Sequence, residues 1–179
     1  MHDVQDTQAL GTFEQHGEDL DLRFERLYPR PVETVWSALT EPERLKDWMG
    51  AARVEPHAGG RIDLMIGGVQ PMTGRILIWD PPRTLEFSWS NADTQNSVVR
   101  YKLIREGAST RMIFTHKGIP YARSGLILPG WHTFFALLGS LLDGAPTPHA
   151  PRSWREMQRV YVDHYQLRGV LLDVPKSHG

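Results

Sequence analysis

The histidines are the side chains of this sequence best suited to acid–base or metal chemistry. There are eight of them, and they are scattered along the chain. No two form a His-x-x-x-His pair on a predicted helix, and none is paired with an acid at the spacing of metal ligands. The sequence therefore predicts neither a metal site nor a cofactor.

Two histidines lie on elements that are otherwise apolar. His116 ends a predicted strand, and His132 follows Trp131 on a predicted helix. Either side chain could point inward as a hydrogen-bonding or acid–base group. The simpler interpretation places His116 at a solvent-facing strand end and His132 at the helix boundary.

The other residue types with catalytic potential do not form a recognisable set. Asp63 and Glu86 alternate with apolar neighbours in predicted strands, so both should face water. Ser88 and Ser90 lack the Gly-x-Ser-x-Gly context of a nucleophilic serine. The sequence contains no cysteine, which excludes thiol catalysis and disulfides. No catalytic residue is predicted.

Large apolar side chains give the positive signal. Most should pack in the core, but those on the concave face of a sheet, and on a helix that covers it, could line a pocket for an apolar ligand. The predicted ligand-binding residues are Trp48, Met65, Phe87, Trp89, Tyr101, Phe114, His116, Trp131, Phe134, Phe135 and Leu138.

The elements that must position these side chains follow from hydrophobic periodicity. Residues 19–27 alternate as a half-buried strand, and residues 31–39 have the spacing of an amphipathic helix. Thr40, Pro42 and Glu43 then predict a short second helix. From residue 51 to 117 short alternating runs are separated by turn residues, which favours an antiparallel meander. The sheet should have about seven strands.

A long apolar helix is predicted after Gly130 and should end at Gly144 and Pro146. After a linker, residues 153–172 predict one more helix with an apolar face. That face should dock either on the same chain or on a second copy, and a homodimer through this helix is the favoured interpretation.

Composition sets the remaining bounds. The chain has 179 residues and a net charge of −1, which gives no reason to expect nucleic acid as a partner. We expect a flexible leader over residues 1–17, a domain over 18–145, and a linker with an additional helix over 146–179. No signal peptide, no membrane insertion and a cytoplasmic location are expected.

Five fragments in fixed order carry a family resemblance. They are PVETVWSALT at 31–40, GGR at 59–61, MTGRI at 72–76, PPRTLEFSW at 81–89 and GWHTFF at 130–135. Together they resemble the START-like helix-grip superfamily, also called SRPBCC, and within it the domain family named after the activator of the heat-shock-protein-90 ATPase (Hsp90). The resemblance covers about residues 19–144.

The resemblance implies an α+β fold in which a curved antiparallel sheet wraps around a long C-terminal helix and encloses an apolar cavity. It favours a binding module for a hydrophobic or lipid-like small molecule. An enzyme of the same fold, such as a cyclase or hydrolase for an aromatic or polyketide-like substrate, is one alternative. It would need two or more polar groups that converge inside the pocket, for example His116 or Tyr101 with Arg75. A chaperone-activator-like interaction module is the other alternative.

Overall fold

A computed structural model describes residues 9–172 as one antiparallel sheet wrapped around a long helix. The sheet has eight strands in the order β1-β2-β8-β7-β6-β5-β4-β3. The strands are β1 Thr12–His16, β2 Asp19–Tyr28, β3 Ala52–Val54, β4 Arg61–Ile66, β5 Gln70–Asp80, β6 Thr84–Trp89, β7 Ser97–Glu106 and β8 Ser109–Pro120. The helices are α1 Val32–Thr40, α2 Pro42–Leu45, α3 Ser124–Leu142 and α4 Trp154–Tyr165. This is the α+β helix-grip architecture expected from the sequence.

Strand alternation decides which side chains face α3. On β6, Leu85, Phe87 and Trp89 are buried, while Glu86 points outward and pairs with Arg100. Asp63 also lies on the outer face, where its carboxylate pairs with Arg61 at 3.2 Å. The predicted orientation of both acids is therefore confirmed.

Strand β1 lies within the segment for which a flexible leader is expected. Its five residues, TFEQH, are mostly exposed and pair with β2 from Thr12↔Arg23 to His16↔Asp19. A short polar edge strand has almost no hydrophobic alternation, so β1 could not be predicted from the sequence. Residues 1–8 of the same predicted leader lie outside the described residues.

Helix α3 begins at Ser124, six residues before the predicted start at Gly130. Pro129 and Gly130 favour a helix end in sequence, yet both lie inside this helix. Pro129 has no N–H to donate to the carbonyl of Gly125, and the side chain of Gln158 supplies that hydrogen bond instead, at 2.8 Å. Helix α4 therefore stabilises the part of α3 that its own sequence would interrupt.

Helix α4 docks within the same chain. It begins after a capping box between Ser153 and Glu156 and ends at Tyr165, with Gln166 as its C-cap, so it is shorter than predicted. Met157 and Tyr161 of its apolar face are buried. The face on which the predicted homodimer depended is thus used for intramolecular packing.

The segment from Tyr121 to Leu142 is long and apolar enough to cross a membrane by length and composition alone. No such segment was expected from the sequence. In the structure, 50 % of the most apolar window is buried, which is also the pattern of a helix at the centre of a protein core.

Candidate functional site

The predicted ligand-binding side chains include a closed cluster of aromatic rings between the sheet and α3. We call Phe87, Trp89, Tyr101, Phe114, Trp131 and Phe135 the aromatic cluster; all six are buried. Ring centroids lie 4.4 Å apart for Phe114 and Trp131 and 5.2 Å apart for Trp89 and Trp131. These contacts occupy the space in which the sequence predicts a cavity.

The other predicted residues surround the cluster or lie apart from it. Leu138 is buried in the same core, and Phe134 is half-buried with its ring edge toward Trp131. Trp48 lies against α1, where its indole N–H donates to the carbonyl of Ala38 at 2.9 Å. Met65 is 38 % exposed, because Ile62 and Leu64 take the inward positions of β4. The prediction that Met65 lines the inner wall is therefore wrong.

His116 is buried at the polar end of the aromatic cluster, contrary to the simpler interpretation of the sequence. Its Nδ1 accepts a hydrogen bond from the indole N–H of Trp131 at 3.0 Å. The proton of the neutral ring must then sit on Nε2, which donates to the hydroxyl of Ser97 at 2.9 Å. Ser97 in turn donates to the carbonyl of Trp89 at 2.8 Å. This chain of hydrogen bonds links α3 to strands β8, β7 and β6.

Burial fixes the charge state of His116. It lowers the pKa of this histidine to about 3, because the imidazolium would have no water around it. A neutral histidine with both nitrogens engaged serves as a structural link. The enzyme hypothesis also required Arg75, but this side chain is exposed and donates to the carbonyl of Gly59 at 3.1 Å. His116, Tyr101 and Arg75 therefore do not converge.

A second buried histidine connects α3, α4 and the residues before β1. Nδ1 of His132 lies 2.9 Å from the hydroxyl of Tyr161, which accepts a hydrogen bond from the N–H of Gly11 at 2.7 Å. The hydroxyl of Tyr165 donates to the carbonyl of Gly11 at 2.7 Å. Burial, with a smaller contribution from the charges of Arg26 and Arg152, lowers the pKa of His132 to about 4. Both backbone groups of Gly11 are thus held by α4.

The open concave site lies on the other side of Phe135, between β2, the C-terminal half of α3 and the segment that follows it. Its volume is about 340 Å³. We call it the α3 pocket. The lining residues are Arg26, Tyr28, Phe135, Ala136, Gly139, Ser140, Asp143, Gly144, Ala145, His149 and Pro151.

The α3 pocket has a buried floor and a polar rim. Arg26, Tyr28 and Phe135 form the floor and are buried, whereas Asp143 and His149 at the rim are exposed. The hydroxyl of Tyr28 donates to the backbone carbonyl of Phe135 at 3.1 Å, which links β2 to α3 at the floor. Ala136 has only a methyl group and Gly139 has no side chain, so the space above this floor stays open.

The rim of the pocket is held by the hydroxyl of Ser140. Its oxygen accepts a hydrogen bond from the N–H of His149 at 3.1 Å and lies 3.3 Å from Nδ1 of the same residue. These contacts fold the residues after α3 back over the last turn of the helix. The linker predicted from its prolines therefore forms one wall of the pocket.

Arg26 is a buried residue of the pocket lining that sequence reasoning missed. It follows Leu20, Leu22 and Phe24 at the two-residue period of the buried face and is 2 % exposed. Its guanidinium lies 5.4 Å from the centroid of the Phe24 ring, and its Nη1 donates to the carbonyl of Glu25 at 2.9 Å. The sequence does contain a signal for its burial, because an arginine at the two-residue period of a buried apolar series is unusual.

Among residues 9–172, no group of three or more histidine, aspartate or glutamate side chains is placed to hold a metal ion.

Comparisons with known proteins agree with the fold. A family model described as Activator of Hsp90 ATPase homolog 1-like protein matches residues 29–143. No curated protein matches the chain by sequence.

Three solved structures illustrate the likeness. CalU16 from Micromonospora echinospora is 24 % identical, with a TM-score of 0.69 over 88 % of this chain and 94 % of that one. A conserved protein of unknown function from Enterococcus faecalis, EF2215, is 16 % identical, with a TM-score of 0.75 over 97 % of this chain and 100 % of that one. PFC0360w, an HSP90 activator from Plasmodium falciparum, is 23 % identical, with a TM-score of 0.50 over 56 % of this chain and 74 % of that one. At these identities the likeness shows the fold alone.

Proposed function

The chain belongs to the family of Activator of Hsp90 ATPase homolog 1-like proteins, and we propose that it binds a compact hydrophobic molecule in the α3 pocket. The fold of this family is a ligand-binding fold. The observation that carries this proposal is the 340 Å³ space above the aromatic floor of Tyr28 and Phe135. Pockets for small ligands typically have volumes of about 300–1,000 Å³ and mostly apolar walls with a few polar groups.

The position of the pocket also supports this choice over the aromatic cluster. A ligand between the sheet and α3 would have to separate rings that are already in contact, such as Phe114 and Trp131 at 4.4 Å. A ligand in the α3 pocket needs no such separation, because the space is already open. Binding there leaves the core packing unchanged.

Binding is proposed before catalysis because the two histidines that the sequence singles out as acid–base candidates are engaged elsewhere. His116 is enclosed by the aromatic cluster and uses both ring nitrogens for hydrogen bonds. His132 faces Tyr161, not the α3 pocket. Neither imidazole is placed to exchange a proton with a molecule on the pocket floor.

The proposal is tested with N-phenyl-1-naphthylamine, a neutral probe whose fluorescence rises in apolar sites. The wild-type protein should bind it saturably. Ala136→Leu should weaken binding at least about tenfold by filling the pocket, since a steric clash of this kind costs more than about 1.4 kcal/mol. Ala122→Leu is the matched control, because Ala122 is exposed on the turn before α3 and does not line the pocket.

Two results would overturn this assignment. The first is a wild-type protein that does not bind the probe. The second is Ala136→Leu binding the probe as well as wild type while Trp89→Phe does not, which would place the ligand in the aromatic cluster. Thermal melts of each variant establish that the comparison is between folded proteins.

A second candidate function is stimulation of an Hsp90-type ATPase, which the description of the matched family favours. It is tested by adding the purified protein to purified Hsp90 and measuring ATP hydrolysis. Stimulation that survives Ala136→Leu would support an interaction role independent of the pocket. The absence of any stimulation would remove this candidate.

A further inference from the structure

We infer that the outward face of α3 is a docking surface for a second copy of this chain, with the two α3 helices packed antiparallel. This face consists of Ile127, Gly130, Phe134, Leu137 and Leu141, which we call the outer stripe. None of the five faces α4, and the inference does not depend on what the α3 pocket binds.

The outer stripe is apolar and only partly covered. Its spacing of three, four, three and four residues places all its members on one face of the helix. Elsewhere on α3, Trp131 and Phe135 lie against Phe114 of β8, while Gly125 and His132 contact side chains of α4. Each member of the outer stripe, in contrast, is half-buried and keeps part of its surface exposed. A continuous apolar stripe of this kind is typical of a protein interaction site.

The order of residues along the outer stripe favours a second copy as the partner. Ile127 lies seven residues before Phe134, and Leu141 lies seven residues after it. Most homodimers have a two-fold axis, and an axis at Phe134 places Ile127 of one copy opposite Leu141 of the other. The same axis places Leu137 of one copy beside Gly130 of the other. The two stripes therefore overlap over their whole length.

The space over Gly130 is open to a side chain from the second copy. A Cβ at this position would lie 3.8 Å from Nε1 of Trp154, and no other atom of the described residues outside this part of α3 would be within 4 Å. The indole N–H of Trp154 is already engaged with the carbonyl of Leu126. The indole therefore forms the wall of a notch that Leu137 of the second copy can fill, with a large side chain packed against a small residue.

The charges at the ends of α3 favour the antiparallel arrangement. Asp143 directly follows the helix and is exposed, so its carboxylate lies at the negative end of its own helix dipole, where it is unfavourable. In an antiparallel pair, Asp143 lies near the first turn of the second copy's α3. That end of the dipole is positive, and its first turn contains no acidic residue.

A membrane surface is a poorer match for the outer stripe. Helices that lie in the membrane interface usually carry lysine and arginine on their polar face, where these residues meet anionic lipids. Helix α3 contains neither residue, and an acid follows its last turn.

The arrangement is tested by cross-linking, because the chain contains no cysteine and single cysteines can be introduced without background. Phe134→Cys places a thiol at the two-fold axis, and the short reagent bismaleimidoethane should join two chains. Ile127→Cys lies on the same stripe, but its two thiols would be about 21 Å apart along antiparallel helices and should not be joined. Lys102→Cys is an exposed control on the sheet face away from α3 and should not be joined either.

Two cross-linking results would overturn the inference. Joining of Ile127→Cys as efficient as that of Phe134→Cys would rule out the antiparallel register. Joining of Lys102→Cys to the same extent would show that the reagent captures random collisions.

The mass of the wild-type protein in solution tests the inference without any substitution. Sedimentation velocity should show a dimer, and Leu137→Glu should weaken the dimer about tenfold or more, because its carboxylate would lose water on association. Circular dichroism checks that this variant remains folded. A wild-type protein that stays monomeric at every concentration would overturn the inference. So would a monomer that floats with phosphatidylglycerol vesicles and no longer does so as Leu137→Glu, which would assign the outer stripe to a membrane surface.

Discussion

The side-chain amide of Gln158 donates to the carbonyl oxygen of Gly125 across 2.8 Å, at the position left without a helical donor by Pro129. Gln158 lies on α4 and is buried, so the hydrogen bond crosses the interface between the two C-terminal helices. Next to it, the indole N–H of Trp154 donates to the carbonyl of Leu126 at 3.2 Å. Two adjacent carbonyls of α3 therefore accept hydrogen bonds from α4.

Gln158→Met should destabilise the protein by about 1–3 kcal/mol, because it leaves the buried carbonyl of Gly125 without this partner while nearly preserving side-chain volume. The free energy of unfolding from urea titration measures the effect. Pro129→Ala restores the helical donor, so Gln158→Met should cost clearly less in that background. Equal costs in the two backgrounds would contradict the coupling between Gln158 and Pro129.

The buried His116 should make the protein sensitive to acid. Its pKa is about 3 in the folded protein and near 6.5 when unfolded, so below about pH 6.5 the unfolded state binds a proton that the folded state does not. The free energy of unfolding should therefore decrease as the pH is lowered below 6.5. His116 should contribute about 1.4 kcal/mol of this decrease for each pH unit between its two pKa values.

The measurement is urea unfolding at several pH values between 7.5 and 4.5, for wild type and His116→Gln. The variant should show a shallower dependence below pH 6.5 and the same dependence as wild type above pH 7. Carboxylates contribute equally to both proteins, so they cancel in the comparison. Parallel curves over the whole range would show that His116 has the same pKa in the folded and the unfolded protein, which would contradict its burial as a neutral ring.

The hydroxyl of Tyr161 should contribute more to stability than that of Tyr165. Tyr161→Phe leaves both the N–H of Gly11 and Nδ1 of His132 without their partner in a buried site, and should cost about 1–3 kcal/mol. Tyr165→Phe removes one hydrogen bond from a half-buried side chain, and should cost about 1 kcal/mol or less. Thermal or urea unfolding of the matched pair decides; an equal loss in both variants would argue against the three-residue link through Tyr161.

Trp36→Ala should destabilise the protein by about 3–5 kcal/mol, as expected for truncation of a buried tryptophan. Trp36 lies on α1 and is 9 % exposed. Its ring and that of Trp79 on β5 form a T-shaped pair with their centroids 5.2 Å apart. Trp36→Phe, which retains an aromatic ring, should recover much of the loss. A change in unfolding midpoint too small to resolve would show that the contact between α1 and the sheet contributes little.

Hydrophobic periodicity was sufficient to predict the fold class, because the two-residue period of β6 and β8 and the apolar length of α3 are local properties of the chain. The predicted boundary at Gly130 was wrong because Pro129 is tolerated only through Gln158, a residue distant in sequence. Helix α4 was also predicted, but its packing on α3 was not, because that packing depends on the same long-range contact of Gln158.

The α3 pocket illustrates why a site is harder to predict than a fold. Its lining comes from three separate parts of the chain, residues 26–28, 135–145 and 149–151, so no single window shows a pattern. The aromatic residues singled out in the sequence are large and regularly spaced, and those same properties allowed most of them to fill the core. In the sequence, Arg26 appears only as one polar residue at an apolar position of β2, and hydrophobic periodicity alone does not mark such a residue as part of a pocket.

The pairing of β2 with β8 has a consequence for synthesis of the chain on the ribosome. Tyr28 pairs with Thr110 and Asp19 pairs with Pro120, so the partner of β2 is made roughly 80–100 residues later. At bacterial or eukaryotic elongation rates of about 5–20 residues per second, β2 emerges several seconds before β8 exists. During that interval the nascent chain exposes Leu20, Leu22 and Phe24, with one edge of β2 covered at most by β1. Nascent chains stalled before residue 110 should therefore bind chaperones that recognise exposed apolar segments, and chains stalled well beyond residue 142, with α3 clear of the ribosomal tunnel, should release them.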